Sequence, residues 1–275
     1  MYKRVLIALD LEGVNNVVGE AYSGLYRQSD EWKIAIKQAA LEVNTAASAL
    51  FDIGVEKIGL WDNHGGGNNV DPEDIDSRIE LISYDPHHER MSFARGKYDC
   101  ICYFGYHAME GTLGGVLAHT MSSKDVQYYK LNGHYIGEID MDAYIAAEQG
   151  MPSVFFAGGD IACEQAKRAV SNIATVVTKT ELERNKALFR DNDELFVDIK
   201  NTIINAVKFE VTLTTLSYPV IMEKSHKRVE DAAKYLNRVK SFGIAADYLT
   251  DDILVKDAHT VVSHVNNIEE FIMCI

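Results

Sequence analysis

The chain has little positive charge: 27 lysines and arginines stand against 41 aspartates and glutamates, a formal net charge of −14 over 275 residues. That balance excludes an electrostatic nucleic-acid binder, which must neutralise a row of phosphates, and a protein drawn to anionic membrane surfaces. Long apolar runs are also lacking, since none approaches the ~18 residues a membrane-spanning helix needs. The opening Met1-Tyr2-Lys3-Arg4-Val5-Leu6-Ile7 has basic residues but neither the long apolar region nor the small-residue cleavage site of a signal peptide. It reads as the first strand of the mature fold. Cysteine is sparse, and Cys100, Cys102, Cys163 and Cys274 include no Cys-x-x-Cys pair. Cys100 and Cys102 lie two apart in an apolar run, which puts both on one face of a strand as small apolar residues. A reducing cytoplasm is the expected setting. Internal repeats, low-complexity tracts and long linkers are absent.

What remains is ordinary globular composition, 47% hydrophobic and 25% charged, in a length that suits one large domain or two smaller ones. Strand and helix patterns alternate. Lys3–Leu9 reads as a strand, and Asp30–Phe51 as a long helix capped by Ser29, with acidic Asp30 and Glu31 at its positive end and Gly54 after its exit. Lys57–Trp61, Ile79–Ser83, Asp99–Phe104, Ser153–Ala157 and Ala174–Thr178 read as further strands. Tyr128–Leu131 and Tyr135–Gly137 flank the hairpin turn Asn132-Gly133. Helices are expected over Asp140–Gln149 and from Asp160 through Ser171. This alternation predicts an α/β fold, a mainly parallel sheet flanked by helices in a Rossmann-like three-layer arrangement, with a smaller α+β portion. Residues 1–180 would form the α/β metal-binding region. Residues 181–275 would form an α+β portion, separate or completing the same fold, with helices over Glu181–Phe189, Glu194–Val207, His226–Val239 and Ile268–Cys274 and a strand over Phe209–Leu216.

Three of the apolar runs stop on metal-loving side chains. Val5–Leu9 stops on Asp10, with Glu12 two residues on; Ile58–Trp61 stops on Asp62-Asn63-His64; Cys100–Phe104 stops on Gly105-Tyr106-His107. Neighbouring parallel strands share one carboxyl edge, where open α/β sheets bind ligands. The i, i+2 spacing of Asp10 and Glu12 puts both carboxylates on one face of an extended chain, and they repel unless a cation lies between them. Asp-x-Glu-Gly alone is more often a solvated acidic turn, and its company changes that reading. His64 is followed by three glycines, His107 repeats the strand-glycine-histidine pattern, His119 comes twelve residues later, and Glu138 follows the hairpin. Asp10, Glu12 and Glu138 with neutral His64 and His107 carry −3, two divalent cations bring +4, and one hydroxide closes the balance. Mixed imidazole and carboxylate ligation suits zinc, with manganese or cobalt as alternatives.

At these residues the chain resembles the DppA-type D-aminopeptidase family of binuclear zinc metallopeptidases. The resemblance is carried by Asp10-Leu11-Glu12-Gly13, Asp62-Asn63-His64-Gly65, Gly105 through Thr112, Gly115-Val116-Leu117-Ala118-His119-Thr120, and Asn132-Gly133 through Gly137-Glu138, in order across the first 140 residues. It implies that Asp10 bridges two metal ions, that Glu12 and His107 complete one and His64 and Glu138 the other, and that His119 is the catalytic residue, described in the family as a nucleophile. A histidine beside two metals can also position substrate, move a proton or stabilise an oxyanion. The family further implies a ring-like decamer whose inner chamber admits small peptides. Departures are Ala8 and Asn63 where the family usually has serine, Gly158-Gly159-Asp160 in place of Gly-Asp-Asp, and Asp142 in place of asparagine.

The expected function is metal-assisted hydrolysis by an aminopeptidase releasing N-terminal (D-)amino acids from short peptides or amino acid amides. Glu110 and Asp160 lie close enough in sequence to hold the substrate amine, although a structural role is the commoner one for such acids. His87 and His88 read as surface or site-entry residues, His134 as exposed, and His226, His259 and His264 as unconnected with the site. Gly65-Gly66-Gly67 lacks the Gly-Lys-Ser/Thr of a phosphate loop. The alternatives are a binuclear hydrolase of another amide or a phosphoester, which a strongly basic pocket would favour, and a non-catalytic small-molecule binding protein.

Overall fold

In the computed structural model, which describes residues 1–21, 24–83, 90–250 and 256–275, the apolar run after Lys3 forms β1 (Arg4–Leu9). Parallel strands flank it on both sides, β2 (Lys57–Asp62) on one and β4 (Cys100–Tyr106) on the other. With β3 (Glu80–Ile82), β7 (Ser153–Gly158) and β8 (Ala174–Val177) they make a parallel sheet in the order β3-β2-β1-β4-β7-β8. β4 is buried along its whole length, as a central strand covered on both faces must be. The chain lays β2 and β3 to one side of β1 and then crosses to β4 on the other. The strand order thus reverses between β1 and β4, and the crevice beyond their carboxyl ends is the switch point of the sheet.

Alternate strand residues face two cores. Val5, Ile7, Leu9, Cys100, Cys102 and Phe104 pack under α1 (Asp30–Asp52) and α4 (Asn192–Ala206). Leu6, Ala8, Ile101 and Tyr103 pack under α2 (Glu138–Glu148) and α3 (Asp160–Ala169). All four cysteines are free and buried, filling core positions as expected. The Ser29 side chain caps α1 by accepting from Trp32 N, and Gly54 leaves the helix at φ +86°.

The second core extends to an antiparallel sheet. β5 (Val126–Leu131) and β6 (His134–Ile136) form the expected hairpin, with Asn132 and Gly133 both at positive φ. They are joined by β11 (Val220–His226), β12 (Ala245–Thr250) and β13 (Lys256–Val265) in the order β12-β13-β11-β5-β6. α5 (Val229–Ser241) and α6 (Ile268–Cys274) pack against these strands. The α/β class with a parallel sheet, flanking helices and a smaller α+β part is therefore what the chain adopts.

Several local expectations differ. Glu181–Phe189, expected helical from its charged helix formers, is the hairpin β9 (Lys179–Glu183) and β10 (Lys186–Phe189). Contacts made by Lys179 and Glu181 to distant loops override that weak local preference. Phe209–Leu216 alternates like a strand but pairs with no strand among the described residues and is not one. His226 ends β11, and the helix after it begins at Val229. β11, β12 and β13 carry many polar residues, and the pairing of β11 with β5 spans some ninety positions of sequence, which no local pattern reveals.

One contact sets how closely the loop after β1 approaches the end of β4. Gly13 N donates to Gly105 O at 2.6 Å. A Cβ on Gly13 would lie 2.0 Å from Tyr106 O, and one on Gly105, whose φ is +70°, would lie 1.9 Å from Asp10 O. Only glycine allows this approach. Gly105→Ala is expected to destabilise the protein by about 3 kcal/mol or more in urea unfolding, whereas exposed Gly66→Ala, with open space around it, should stay within about 0.5 kcal/mol.

Candidate metal centre

Asp10 follows β1 directly, and its amide still bonds Phe104 O at 2.8 Å, so its position is an extension of the sheet ladder. Glu12 sits in the loop beyond. That loop is wrapped around the ammonium of Lys179, which donates to the carbonyls of Glu12 (2.5 Å), Val14 (3.0 Å) and Val17 (2.6 Å). Lys179 is fully buried, and burial draws it down to about 8 against the pull of Glu181 and Glu42. His64 follows β2. The Asp62 carboxylate accepts from the Asn69 and Val70 amides, and Asn69 Nδ2 donates to His64 O at 2.8 Å, so Asp62 shapes the glycine-rich loop that carries His64. His107 follows β4. Glu138 is the first residue of α2, where the positive helix end favours a carboxylate, and its Oε1 accepts from Met121 N at 2.7 Å.

These side chains converge. His64 Nδ1 lies 3.0 Å from Asp10 Oδ1 and 3.0 Å from Glu12 Oε2. His107 Nε2 lies 3.4 Å from Asp10 Oδ2 and 3.5 Å from Glu138 Oε1. The two oxygens of Asp10 thus face different imidazoles. The resemblance grouped Glu12 with His107 and Glu138 with His64. Asp10, Glu12 and His107 do present atoms within 4.8 Å of one another, but the shortest contacts pair Glu12 with His64 and Glu138 with His107.

The set fits a cation. His107 Nδ1 faces the Ala108 carbonyl at 3.0 Å, which places a proton on Nδ1 and leaves the Nε2 lone pair to the cluster in the neutral ring. Nε2 is buried without a hydrogen-bond partner among the described residues. A buried nitrogen without a partner, ringed by carboxylate oxygens, is the donor set of a metal ligand. His107, His119 and Glu138 also bring ligand-type atoms within 4.8 Å of one another.

His119 stands on a tightly held loop. Its ring stacks on that of His107 with centroids 3.9 Å apart, and its Nδ1 faces Leu117 O at 2.8 Å, leaving Nε2 3.9 Å from Glu138 Oε1. Leu117 and Met121 on either side have left-handed φ of +52° and +63°, a strained turn that the surroundings must enforce. The β9–β10 hairpin supplies that force. Glu181 accepts from Val116 N at 2.6 Å, Arg184 O accepts from Leu117 N, and Arg184 Nη1 donates to Ala118 O, both at 2.8 Å.

A cavity of about 330 Å³ opens on the cluster, lined by Asp10, Glu12, His64, His119 and Glu138. Its lining also includes three cations that the sequence reading missed, Arg90, Lys124 and Arg184, none of which sits in a recognisable motif. Glu110 and Asp160 are not part of the lining. Asp160 Oδ1 accepts from Glu181 N at 2.8 Å and Ile161 N at 3.1 Å, a structural role. His134 is exposed, and His226, His259 and His264 belong to the second sheet. His87 and His88 lie outside the described residues.

Without a cation the cluster draws protons. Burial opposes charge on Asp10, yet the close imidazoles of His107 and His64 outweigh it and hold the carboxyl well below its usual range. Burial likewise opposes charge on His64 and His107, but the Glu12 charge and the Asp10 bond raise His64 to about 11, and the nearby Asp10 and Glu138 carboxylates raise His107 to about 10.

Three comparisons bear on this site. A family model described as Peptidase_M55, D-aminopeptidase, matches residues 3–244. A D-aminopeptidase of Bacillus subtilis strain 168 is 25% identical over 185 residues, 66% of this chain, and the matched region spans 65% of that relative's length. The solved structure of the Zn-dependent D-aminopeptidase DppA from Bacillus subtilis, described as a self-compartmentalizing protease, superposes with a TM-score of 0.84 at 19% identity, over 98% of this chain and 94% of that one. The two share the fold.

In metal-free protein prepared with chelator, His64 and His107 have folded pKa values raised above the unfolded 6.5, so the stability they add is complete below that pH and is lost as pH rises toward about 10 to 11. Melting temperature should fall across that window in chelated protein and not, by this route, in zinc-loaded protein. Zinc loading at pH 7 should release about two protons per chain, read by calorimetry in buffers of different ionisation enthalpy.

Proposed function

Because the chain belongs to the M55 D-aminopeptidase family, we propose that it is a metal-dependent aminopeptidase that releases N-terminal amino acids, D-residues included, from short peptides or amino acid amides. The observation that carries this reading is the convergence of Asp10, Glu12, His64, His107 and Glu138 at the switch point of the sheet around a buried imidazole nitrogen with no hydrogen-bond partner among the described residues. Asp10, Glu12, His64, His107 and Glu138 would together hold the ions, with Asp10 central to the set. Bound there, divalent ions, zinc by likeness to the Bacillus relative, would acidify water and polarise a scissile carbonyl. His119 has its Nδ1 committed to the Leu117 carbonyl, so its Nε2 is the atom that takes up a proton and delivers it to the leaving amine. The carboxylates that hold the ions also give a free substrate amine its counter-charge. Residues 1–180 carry the metal cluster and His119, and residues 181–275 complete the fold and add Arg184 to the cavity.

The protein is read as a cytoplasmic homo-oligomer, a ring-like decamer. Its thiols are all free, and among the described residues no helix is long and apolar enough to cross a membrane. Leu113 on the His119 loop is 96% exposed, close to the hairpin where Leu188 is 62% exposed, an apolar surface suited to a second copy of the chain.

Zinc-loaded protein should hydrolyse members of a panel of D- and L-aminoacyl amides, lose that activity with chelator, and leave a phosphoester untouched; turnover of the phosphoester alone would overturn the reading. His119→Ala should lower kcat by about 10²- to 10⁴-fold while zinc content stays unchanged. Mass photometry should give a multiple of the 30.7 kDa chain, and Leu113→Asp should shift it toward protomers.

A further inference from the structure

The cavity lining is chemically mixed: beside the carboxylate and imidazole cluster it includes three cations, Arg90, Lys124 and Arg184. Arg90 is the built member. Its Nε lies 2.6 Å from Asp142 Oδ1 and its Nη2 2.8 Å from Oδ2, with side-chain exposures of 18% for Arg90 and 0% for Asp142. The guanidinium also lies over the Trp61 ring, 5.0 Å from its centroid. Asp142 takes a further bond from Tyr106 Oη at 2.7 Å, and that oxygen accepts from Asn63 Nδ2 at 2.9 Å. Two of the positions where this chain departs from the family pattern, Asn63 and Asp142, therefore belong to one network that holds Arg90. An asparagine at 142 would offer no full charge to a guanidinium in that place.

Asp142 engages the Nε–Nη2 edge of the fork, and Nη1 lies outside that pair. A fixed guanidinium is suited to a carboxylate, which it meets with charge and planar geometry together. On the aminopeptidase reading, which this step rests on, the amino end of the substrate lies at the metal cluster, and its carboxylate end is left to the cations of the lining. The geometry points to Arg90 as a specificity residue that binds the carboxylate end of a short zwitterionic peptide, with Lys124 and Arg184 drawing that end into the cavity. A volume of about 330 Å³ is at the small end for ligand pockets and suits a peptide of few residues.

The test uses zinc-loaded protein and a hydrolysis-resistant alanyl-alanine whose amide is replaced by CH₂–NH, supplied in D and L forms as free acid and as carboxamide. Calorimetric titration should show the free acid binding at least 10-fold more tightly than the carboxamide. Arg90→Met combined with Asp142→Asn, which leaves no unpaired buried carboxylate, should reduce that ratio to 2-fold or less with carboxamide affinity unchanged. Arg90→Lys, which keeps the charge and loses the fork, should reduce it at least 3-fold and covers the case in which the double variant does not fold. Equal affinities in the wild type, an unchanged ratio in a folded variant, or inorganic phosphate binding more tightly than the free acid would each overturn the assignment. Turnover of ordinary alanyl-alanine is measured separately: its absence overturns the aminopeptidase reading, while the binding ratio still decides the role of Arg90.

Discussion

Three carboxylates, Asp10, Glu12 and Glu138, are buried around one point at the edge of a parallel sheet. Like charges taken out of water at that separation repel strongly, and the arrangement holds only if positive charge lies among them. Much of the surrounding structure serves to keep them there. Gly13 and Gly105 let two strand ends meet at backbone distance, a buried lysine ties down the loop bearing Glu12, and the start of α2 presents Glu138 with a favourable helix end. The imidazoles of His64 and His107 complete the set, each directed at a different oxygen of Asp10.

The chemistry follows from how each ring is tied. His107 and His119 are both anchored through Nδ1 to backbone carbonyls, so both direct Nε2 inward, and their rings stack. One Nε2 is buried without a partner and suits a metal; the other stands next to the cavity and suits proton transfer. The loop carrying His119 owes its strained shape to the β9–β10 hairpin, sixty-odd residues further along the chain. That long reach explains why a C-terminal segment without motifs matters to a site whose motifs all lie in the first half.

Legibility differed by element. β1, β2, β4 and β7 were readable because central parallel strands are continuous apolar runs, and α1 because its cap, acidic first turn and exit glycine all agree. The hairpin at Asn132-Gly133 was readable from turn chemistry. The β9–β10 hairpin and β11–β13 were not, because they are rich in polar residues and are held by contacts far away in sequence, side-chain bonds to the site loops for the hairpin and the ladder to β5 for β11. Arg90 was invisible for a related reason: it lies in no motif, and only packing brings it to Asp142 and the cavity.

From residue order alone came the strand ends, the chemical types placed on them and hence the α/β class and the kind of site, because apolar runs, glycines and metal-loving side chains are local signals. Tertiary structure decided which imidazole faces which carboxylate, which nitrogen of each ring points inward, and that Arg90, Lys124 and Arg184 share the cavity with the carboxylates. Those properties depend on distances and angles between segments remote in sequence, and they exist only once β1, β2, β4 and α2 are packed together.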